Sequence, residues 1–463
     1  LRRLVVVSNR VAVPTDKKAR AGGLAVGLQE ALKHHGGVWF GWSGRVDANP
    51  SPQPTVVDIE RVTYATMDLS RKSYAEYYNG FANRALWPLF HFRLGLAKFD
   101  QQHYSSYLRV NRLFAEKLLP LLAPDDLIWV HDYHLIPLGS ELRRTIGNQS
   151  MGFFLHTPFP PLELLVVLPA HRELMRALCS YDVVGFQTVR DLRAFLDYVV
   201  YEGGGEVLDD GRVRVFGHTL KAESYPIGID TEAMVVAGVE AAHSGRVRRL
   251  RERARERTWI IGVDRLDYSK GIVERFRAFE MFLEKNPKYH RQINLIQIAP
   301  PSRAEVPEYM DVRRTLEAEA GRINSRFAEV DWVPINYLGR SYTRQELAGF
   351  YRASRVGLVT PLRDGMNFVA KEFIAAQDPE DPGVLVLSRF AGAARELTAA
   401  LIVNPFDFAA VADAIAHALA MPLEERRDRW QRMMERLRAN SLTTWRDRFL
   451  AALAGAPFGD LHD

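Results

Sequence analysis

The strongest constraint on the fold is an alternation in the second half of the chain. Short runs rich in apolar and β-branched residues, at 259–263, 293–298, 332–335, 356–359, 384–387 and 401–403, are separated by longer segments. The runs have the length of buried strands. The spacers are long enough for helices, and in the first of them Ile272, Phe276, Phe279 and Leu283 recur on one helical face. Strand and helix in alternation give a parallel sheet covered on both faces. The first half repeats the pattern with runs at 4–7, 127–130, 152–155 and 183–186, helical stretches at 107–122 and 162–178, and shorter strands expected around 38–40, 56–59 and 212–216. A chain of 463 residues exceeds one core. The expectation is an α/β protein of two doubly wound domains, 1–228 and 229–440, meeting near Tyr225-Pro226-Ile227-Gly228, where proline and glycine punctuate the chain.

Composition narrows the function. Sixty-one basic against 56 acidic residues leave a net charge of +5, and the charges are interspersed, which argues against a dedicated nucleic-acid binder. The arginine-rich stretches at 246–257 and 426–438 interleave acidic and apolar residues, as solvated helix faces do. The lone cysteine, Cys179, permits no internal disulfide, reads as a buried filler and suits a reducing, cytoplasmic setting. No uncharged apolar stretch reaches the length of a membrane span, and the run at 4–7 is too short for a signal peptide.

In open parallel sheets ligands bind at the carboxyl ends of the strands. Ser8-Asn9-Arg10 follows the first run, and Gly22-Gly23 opens a helix expected at 24–32, an entry that suits a phosphate and equally a plain helix start. Asp264-Arg265-Leu266-Asp267-Tyr268-Ser269-Lys270-Gly271 follows the run at 259–263, so Arg265 and Lys270 can converge on one anionic group. Arg303 follows the next run. Arg363 to Glu372 forms a glycine-containing loop entering a helix whose first turns present Glu372 to sugar hydroxyls. His131, Asp132, His134 and His156 stand at two further strand ends, but without the helical His spacing of a metal site. No Asp-x-Asp pair is present to hold magnesium on a diphosphate, so cationic side chains must replace the metal and no cofactor is expected.

These strings resemble one family. Ser-Asn-Arg at 8–10, Ala-Gly-Gly-Leu-Ala at 21–25, Tyr-Tyr-Asn-Gly-Phe at 77–81, Leu-Trp-Pro-Leu-Phe-His at 86–91, Trp-Val-His-Asp-Tyr-His-Leu at 129–135, His-Thr-Pro-Phe-Pro at 156–160, the 264–271 string and Arg-Asp-Gly-Met-Asn at 363–367 are similar to those of trehalose-6-phosphate synthases. The likeness spans nearly the whole chain. Thr157 and Pro161 depart from the commoner aliphatic and hydroxyl residues without removing a charge. No Asp-x-Asp-Gly-Thr phosphatase motif is present, which points to the bacterial, single-activity type.

The resemblance implies a GT-B fold, two Rossmann-like domains facing each other across a cleft, with 441–463 crossing back to the first. It implies transfer of glucose from UDP-glucose to glucose 6-phosphate with retention. Arg265 and Lys270 would hold the diphosphate, aided by Gly23 and the helix start formed by Met366, Asn367, Phe368 and Val369. Glu372 would take the ribose, Asp364 and His156 the donor hexose, and Arg340 to Tyr342 the uracil. Arg10, Tyr78, Trp87, Asp132 and Arg303 would take the acceptor, the arginines at its phosphate; for Tyr78 and Trp87 plain core packing competes. No membrane or nucleic-acid partner is implied, and a homo-oligomer is left open. Two alternatives remain: a related enzyme with another phosphorylated acceptor, such as a glucosylglycerol-phosphate synthase or a pseudo-glycosyltransferase, and a non-catalytic sugar-phosphate sensor.

Overall fold

The structure, a computed structural model, describes residues 2–14, 28–29, 32, 36–146, 149–243, 257–303 and 305–455. Gly22, Gly23, most of the helix expected at 24–32 and the arginine-rich stretch before Arg257 lie outside them. The chain divides into two compact units, one comprising Leu1–Ile227 and Leu442–Asp463, the other Gly228–Ser441.

The first unit is built on strands β1 (Leu4–Arg10), β2 (Gly37–Asp47), β3 (Thr55–Ile59), β4 (Val62–Ser70), β5 (Leu127–His131), β6 (Met151–Phe154), β7 (Val183–Phe186), β8 (Glu206–Val207), β9 (Val213–Val215) and β10 (His218–Ser224). They form one sheet in the order β3-β4-β2-β1-β5-β6-β7-β10-β9-β8. The run from β4 to β10 is parallel, while β3 and the β8–β9 hairpin add antiparallel edges. The chain moves outward from β1 through β2 to β4, then resumes on the opposite side at β5. That reversal opens a crevice at the carboxyl ends of β1 and β5. The second unit has β11 (Thr258–Val263), β12 (Ile293–Ile298), β13 (Ile335–Leu338), β14 (Val356–Val359), β15 (Val384–Ser388) and β16 (Leu401–Val403), parallel throughout in the order β13-β12-β11-β14-β15-β16. Its reversal lies between β11 and β14. Ile272, Phe276, Phe279 and Leu283 of the helix Ile272–Lys285 are buried in its core.

Several expectations shift. The strand expected at 332–335 begins at Ile335, because Pro334 has no N–H for a ladder and Trp332 is anchored by its side chain, the buried indole donating to the Ile293 carbonyl at 2.7 Å. The short strands expected at 38–40 and 56–59 belong to a larger assembly, in which β2 and the unanticipated β4 pair in parallel. The helix expected at 107–122 starts at Gln101, capped by Asp100 accepting from the His103 amide. The one expected at 162–178 is two helices, Leu162–Leu165 and His171–Leu178, because Pro169 interrupts it. In the helix Leu423–Ala439 the arginines are not all solvated: Arg426 is buried on Asp381 and the Pro382 carbonyl.

The helix Leu442–Ala454 packs on the first unit. Its Phe449 is fully buried and stacks on Trp129 with ring centroids 4.8 Å apart. Gly152 and Gly185 leave it room, since a Cβ at either would stand 2.7 and 2.8 Å from its ring. Phe449→Ala is expected to cost about 3–5 kcal/mol of stability, read from the denaturant midpoint.

Candidate functional site

In the second unit the residues at the β11 and β14 ends converge. Asp267 accepts from the Ser269 amide (2.9 Å) and so shapes the turn Tyr268–Lys270. Gly271 then takes φ +63, where a side chain would be strained and a Cβ would meet the Thr360 carbonyl at 2.5 Å. This directs Lys270 Nζ onto Asp364 Oδ2, with both side chains nearly buried. Asn367 donates from Nδ2 to the same oxygen at 3.0 Å, and its Oδ1 caps the helix Phe368–Ala375 by accepting from the Ala370 amide. Asp364 Oδ1 has no hydrogen bond among the described residues. The first amides of that helix, Phe368 and Val369 among them, have no intrahelical carbonyl to bond, so they present N–H groups and the positive end of the helix. Met366 is buried and holds the loop through its carbonyl, which accepts from Ala393 N at 2.8 Å. Arg265, in the same loop as Lys270, is exposed.

Glu372, on the second turn of the helix, makes no side-chain hydrogen bond among the described residues, and burial pushes its carboxyl up to about 7, only partly offset by Arg344. A carboxyl raised in this way favours the folded state below its unfolded value and loses that advantage as pH rises through about 7. Glu372→Gln should therefore raise the melting temperature of the ligand-free protein at pH 8 and change it little near pH 4.5; the same shift at both pH values would contradict the burial of this carboxyl.

No hydrogen bond or ion pair among the described residues links Arg340 or Tyr342 to the Lys270 cluster. Arg340 Nε donates to the Tyr342 hydroxyl at 2.7 Å, and both line a cavity of about 690 Å³ with Arg257, Trp259, Asn294 and Trp332. Arg303 has φ +49 and a side chain only 5% exposed; it donates to the Tyr309 hydroxyl and lies 3.6 Å from Asp267 Oδ2. In this structure its guanidinium is turned onto its own unit.

In the first unit Arg10 is exposed at the end of β1, its guanidinium lying where a Cβ on Gly44 would stand 2.6 Å away. Asn9 beside it accepts from the Tyr77 hydroxyl at 2.7 Å. Tyr78 sits on a π-helix, Tyr74–Leu86, and stacks on Tyr74 (5.5 Å) and His134 (5.7 Å), with Trp42 at 5.5 Å. Such i→i+5 segments concentrate at functional sites. Tyr78 stays partly exposed, whereas Trp87 is 6% exposed and packs on His91 at 4.0 Å. Asp132, directly after β5, has φ +76, an unfavourable conformation for a residue with a Cβ, and its Oδ1 accepts from the His156 amide at 3.3 Å.

His156 is tied on both nitrogens. Gln187 Oε1 accepts from the Ile227 amide (3.1 Å), which turns Gln187 Nε2 toward His156 Nδ1 (3.4 Å). The proton of His156 is thereby placed on Nε2 and donated to His131 Nδ1, 3.0 Å away. Burial pushes His156 down to about 3 and His131 well below its usual range, so both rings are neutral at physiological pH. Among the described residues no group of three or more His, Cys, Asp or Glu is placed to hold a metal ion, and no helix is long and apolar enough to cross a membrane.

The model of glycosyltransferase family 20 matches residues 2–455. The chain belongs to this family. A trehalose-6-phosphate synthase of Sinorhizobium fredii is 51% identical over 458 residues, covering 98% of each chain. Among solved structures, a UDP-forming α,α-trehalose-phosphate synthase from Burkholderia xenovorans in complex with glucose 6-phosphate superposes with a TM-score of 0.94 at 51% identity, covering 98% of this chain and 100% of that one. A trehalose-6-phosphate protein from E. coli bound with UDP-2-fluoro glucose gives 0.93 at 47%, covering 97% and 98%. The fold class of this family member is GT-B, built from the two Rossmann-like units described above.

Two contributors were missed in the sequence. Arg275 is fully buried behind the Lys270 loop; the signal was an arginine three residues after Ile272, on the apolar stripe of its helix. Gln187 follows β7, with no motif to mark it.

Proposed function

We propose that the chain transfers glucose from UDP-glucose to the anomeric hydroxyl of glucose 6-phosphate, with the α configuration retained and UDP released. The observation that carries this reading is the family match over residues 2–455 together with an intact cluster of Lys270, Asp364 and Asn367 at the second unit's switch point.

As the anomeric bond breaks, negative charge grows on the departing diphosphate, and preorganised cations and dipoles lower that barrier most. Lys270 and Arg265 supply the cations, and the amides at the start of Phe368–Ala375 supply the dipole. Asp364 orients Lys270 through Oδ2 and offers Oδ1 to a hydroxyl of the donor hexose. Gly23 takes part at the diphosphate and the segment from Arg340 to Tyr342 at the uracil. His156 acts as a neutral group beside the hexose; with both nitrogens engaged it is neither a general acid nor a cation. The acceptor is held by Arg10, Tyr78, Trp87, Asp132 and Arg303. Retention proceeds by front-face substitution, the leaving phosphate accepting the acceptor's proton; trapping a glycosyl-enzyme adduct on any Asp or Glu would overturn that step. The second unit is then the nucleotide-sugar domain and the first the acceptor domain.

Glu372 takes the ribose hydroxyls, which a carboxylate accepts and a carboxylic acid does so poorly. The KM for UDP-glucose should rise as pH falls below about 7, and this dependence should disappear in Glu372→Gln. UDP release measured with glucose 6-phosphate, glycerol phosphate and a cyclitol phosphate tests the whole reading. Release only with another acceptor selects the related enzymes, and no acceptor-dependent release selects the sensor.

A further inference from the structure

Behind the Lys270 loop lies a buried charge that the reaction as described does not use. Arg275 has no exposed side-chain surface and spends its guanidinium on four bonds. Nη1 donates to Asp264 Oδ2 at 2.6 Å and to Gln297 Oε1 at 2.8 Å, Nε donates to Thr360 Oγ1 at 3.0 Å, and Nη2 donates to the Lys270 carbonyl at 3.4 Å. Those acceptors belong to the end of β11, to β12, to the residue after β14 and to the loop carrying Lys270. The slot is built for this group: a Cβ on Gly262 would stand 2.6 Å from Arg275 Nη1 and 2.4 Å from Gln297 Oε1. A planar fork fits such a divergent set of acceptors, and a lysine ammonium does not.

We infer that Arg275 is a positioning residue for diphosphate departure: it pins the mouths of three strands and the backbone of Lys270, so that Lys270 and Asp364 are held in register before the donor arrives. Paired with Asp264, it adds no net charge and acts only through placement. The inference rests on Lys270 being the diphosphate ligand proposed above.

The test is a double-mutant cycle in the full chain, following kcat and both KM values, with melting temperature as a check on folding. Arg275→Lys keeps the charge opposite Asp264 and loses the fork. It is expected to lower kcat about tenfold, leave the KM for glucose 6-phosphate unchanged, and cost less than about twofold when Lys270 is already alanine, because a residue acting through Lys270 has nothing left to place. Thr360→Val removes one acceptor only; it is expected to give a smaller loss, about threefold, that also disappears in Lys270→Ala, and it decides the matter if Arg275→Lys does not fold. Equal losses in both backgrounds, or wild-type kcat in the folded variants, overturns the inference and leaves the assignment of Lys270 standing. Near-normal turnover in Lys270→Ala itself overturns the assignment and the inference together.

Discussion

Lys270→Ala is expected to lower turnover by about a hundredfold or more while the chain stays folded. The side chain is nearly buried, and its ammonium contacts a carboxylate that Asn367 also holds, so its position is fixed before any ligand binds. A charge already in place needs no reorganisation as the phosphate–sugar bond breaks, and it acts in a partly desolvated site where it counts for most. Arg265 is exposed, where solvent screens its charge, so Arg265→Ala should be the milder of the two substitutions. Truncating Lys270 leaves Asp364 with Asn367 as its remaining side-chain donor among the described residues, and that carboxylate then faces the departing diphosphate without the ammonium that balanced it. The loss should therefore appear in kcat as well as in the KM for UDP-glucose. Because side chains do the neutralising, activity should persist in EDTA. Near-normal turnover in Lys270→Ala, or a complete and metal-reversible loss on chelation, would place the compensating charge elsewhere.

How much of this was legible in the sequence depends on which interactions are local. The strands of the second unit are, because a strand covered on both faces is largely apolar, and Ile293–Ile298 and Val384–Ser388 stand out as such runs despite Asn294, Gln297 and Ser388. β4 does not: Thr63, Thr66 and Asp68 dilute its pattern, and its pairing with β2 supplies the order that composition conceals. The break at Pro169 was in plain view, overridden by the run of leucines and valines around it. The motif residues at strand ends were legible as chemistry but not as partners. Lys270 and Asp364 are 94 positions apart, and only the order of β11 beside β14 makes them neighbours. The same holds for Arg275, whose four acceptors come from three separate stretches of chain, the 264–271 loop, β12 and the residue after β14. The π-helical course of Tyr74–Leu86, which leaves Tyr78 on an aromatic stack, has no counterpart in any apolar period.

Arg303→Ala is expected to raise the KM for glucose 6-phosphate tenfold or more, by about the strength of one charge-assisted bond, and to move the KM for UDP-glucose far less. In the structure the guanidinium is already engaged, beside Asp267 and on the Tyr309 hydroxyl, which in turn donates to Asp267 Oδ2 at 3.1 Å. A phosphate must compete with that arrangement, and its charge and three acceptor oxygens let it do so where a neutral sugar cannot. Glucose without its phosphate should therefore be a very poor acceptor. The competition can be tuned separately: Tyr309→Phe removes the hydroxyl that bridges Arg303 to Asp267, so it should lower the KM for glucose 6-phosphate, opposite in sign to Arg303→Ala. Arg10, exposed at the end of β1, has no such rival among the described residues, and Arg10→Ala should weaken glucose 6-phosphate without any dependence on Tyr309. Steady-state kinetics with each substrate varied in turn decide among these outcomes. Equal activity on glucose and glucose 6-phosphate, or an Arg303→Ala defect confined to UDP-glucose, would remove both arginines from the acceptor phosphate.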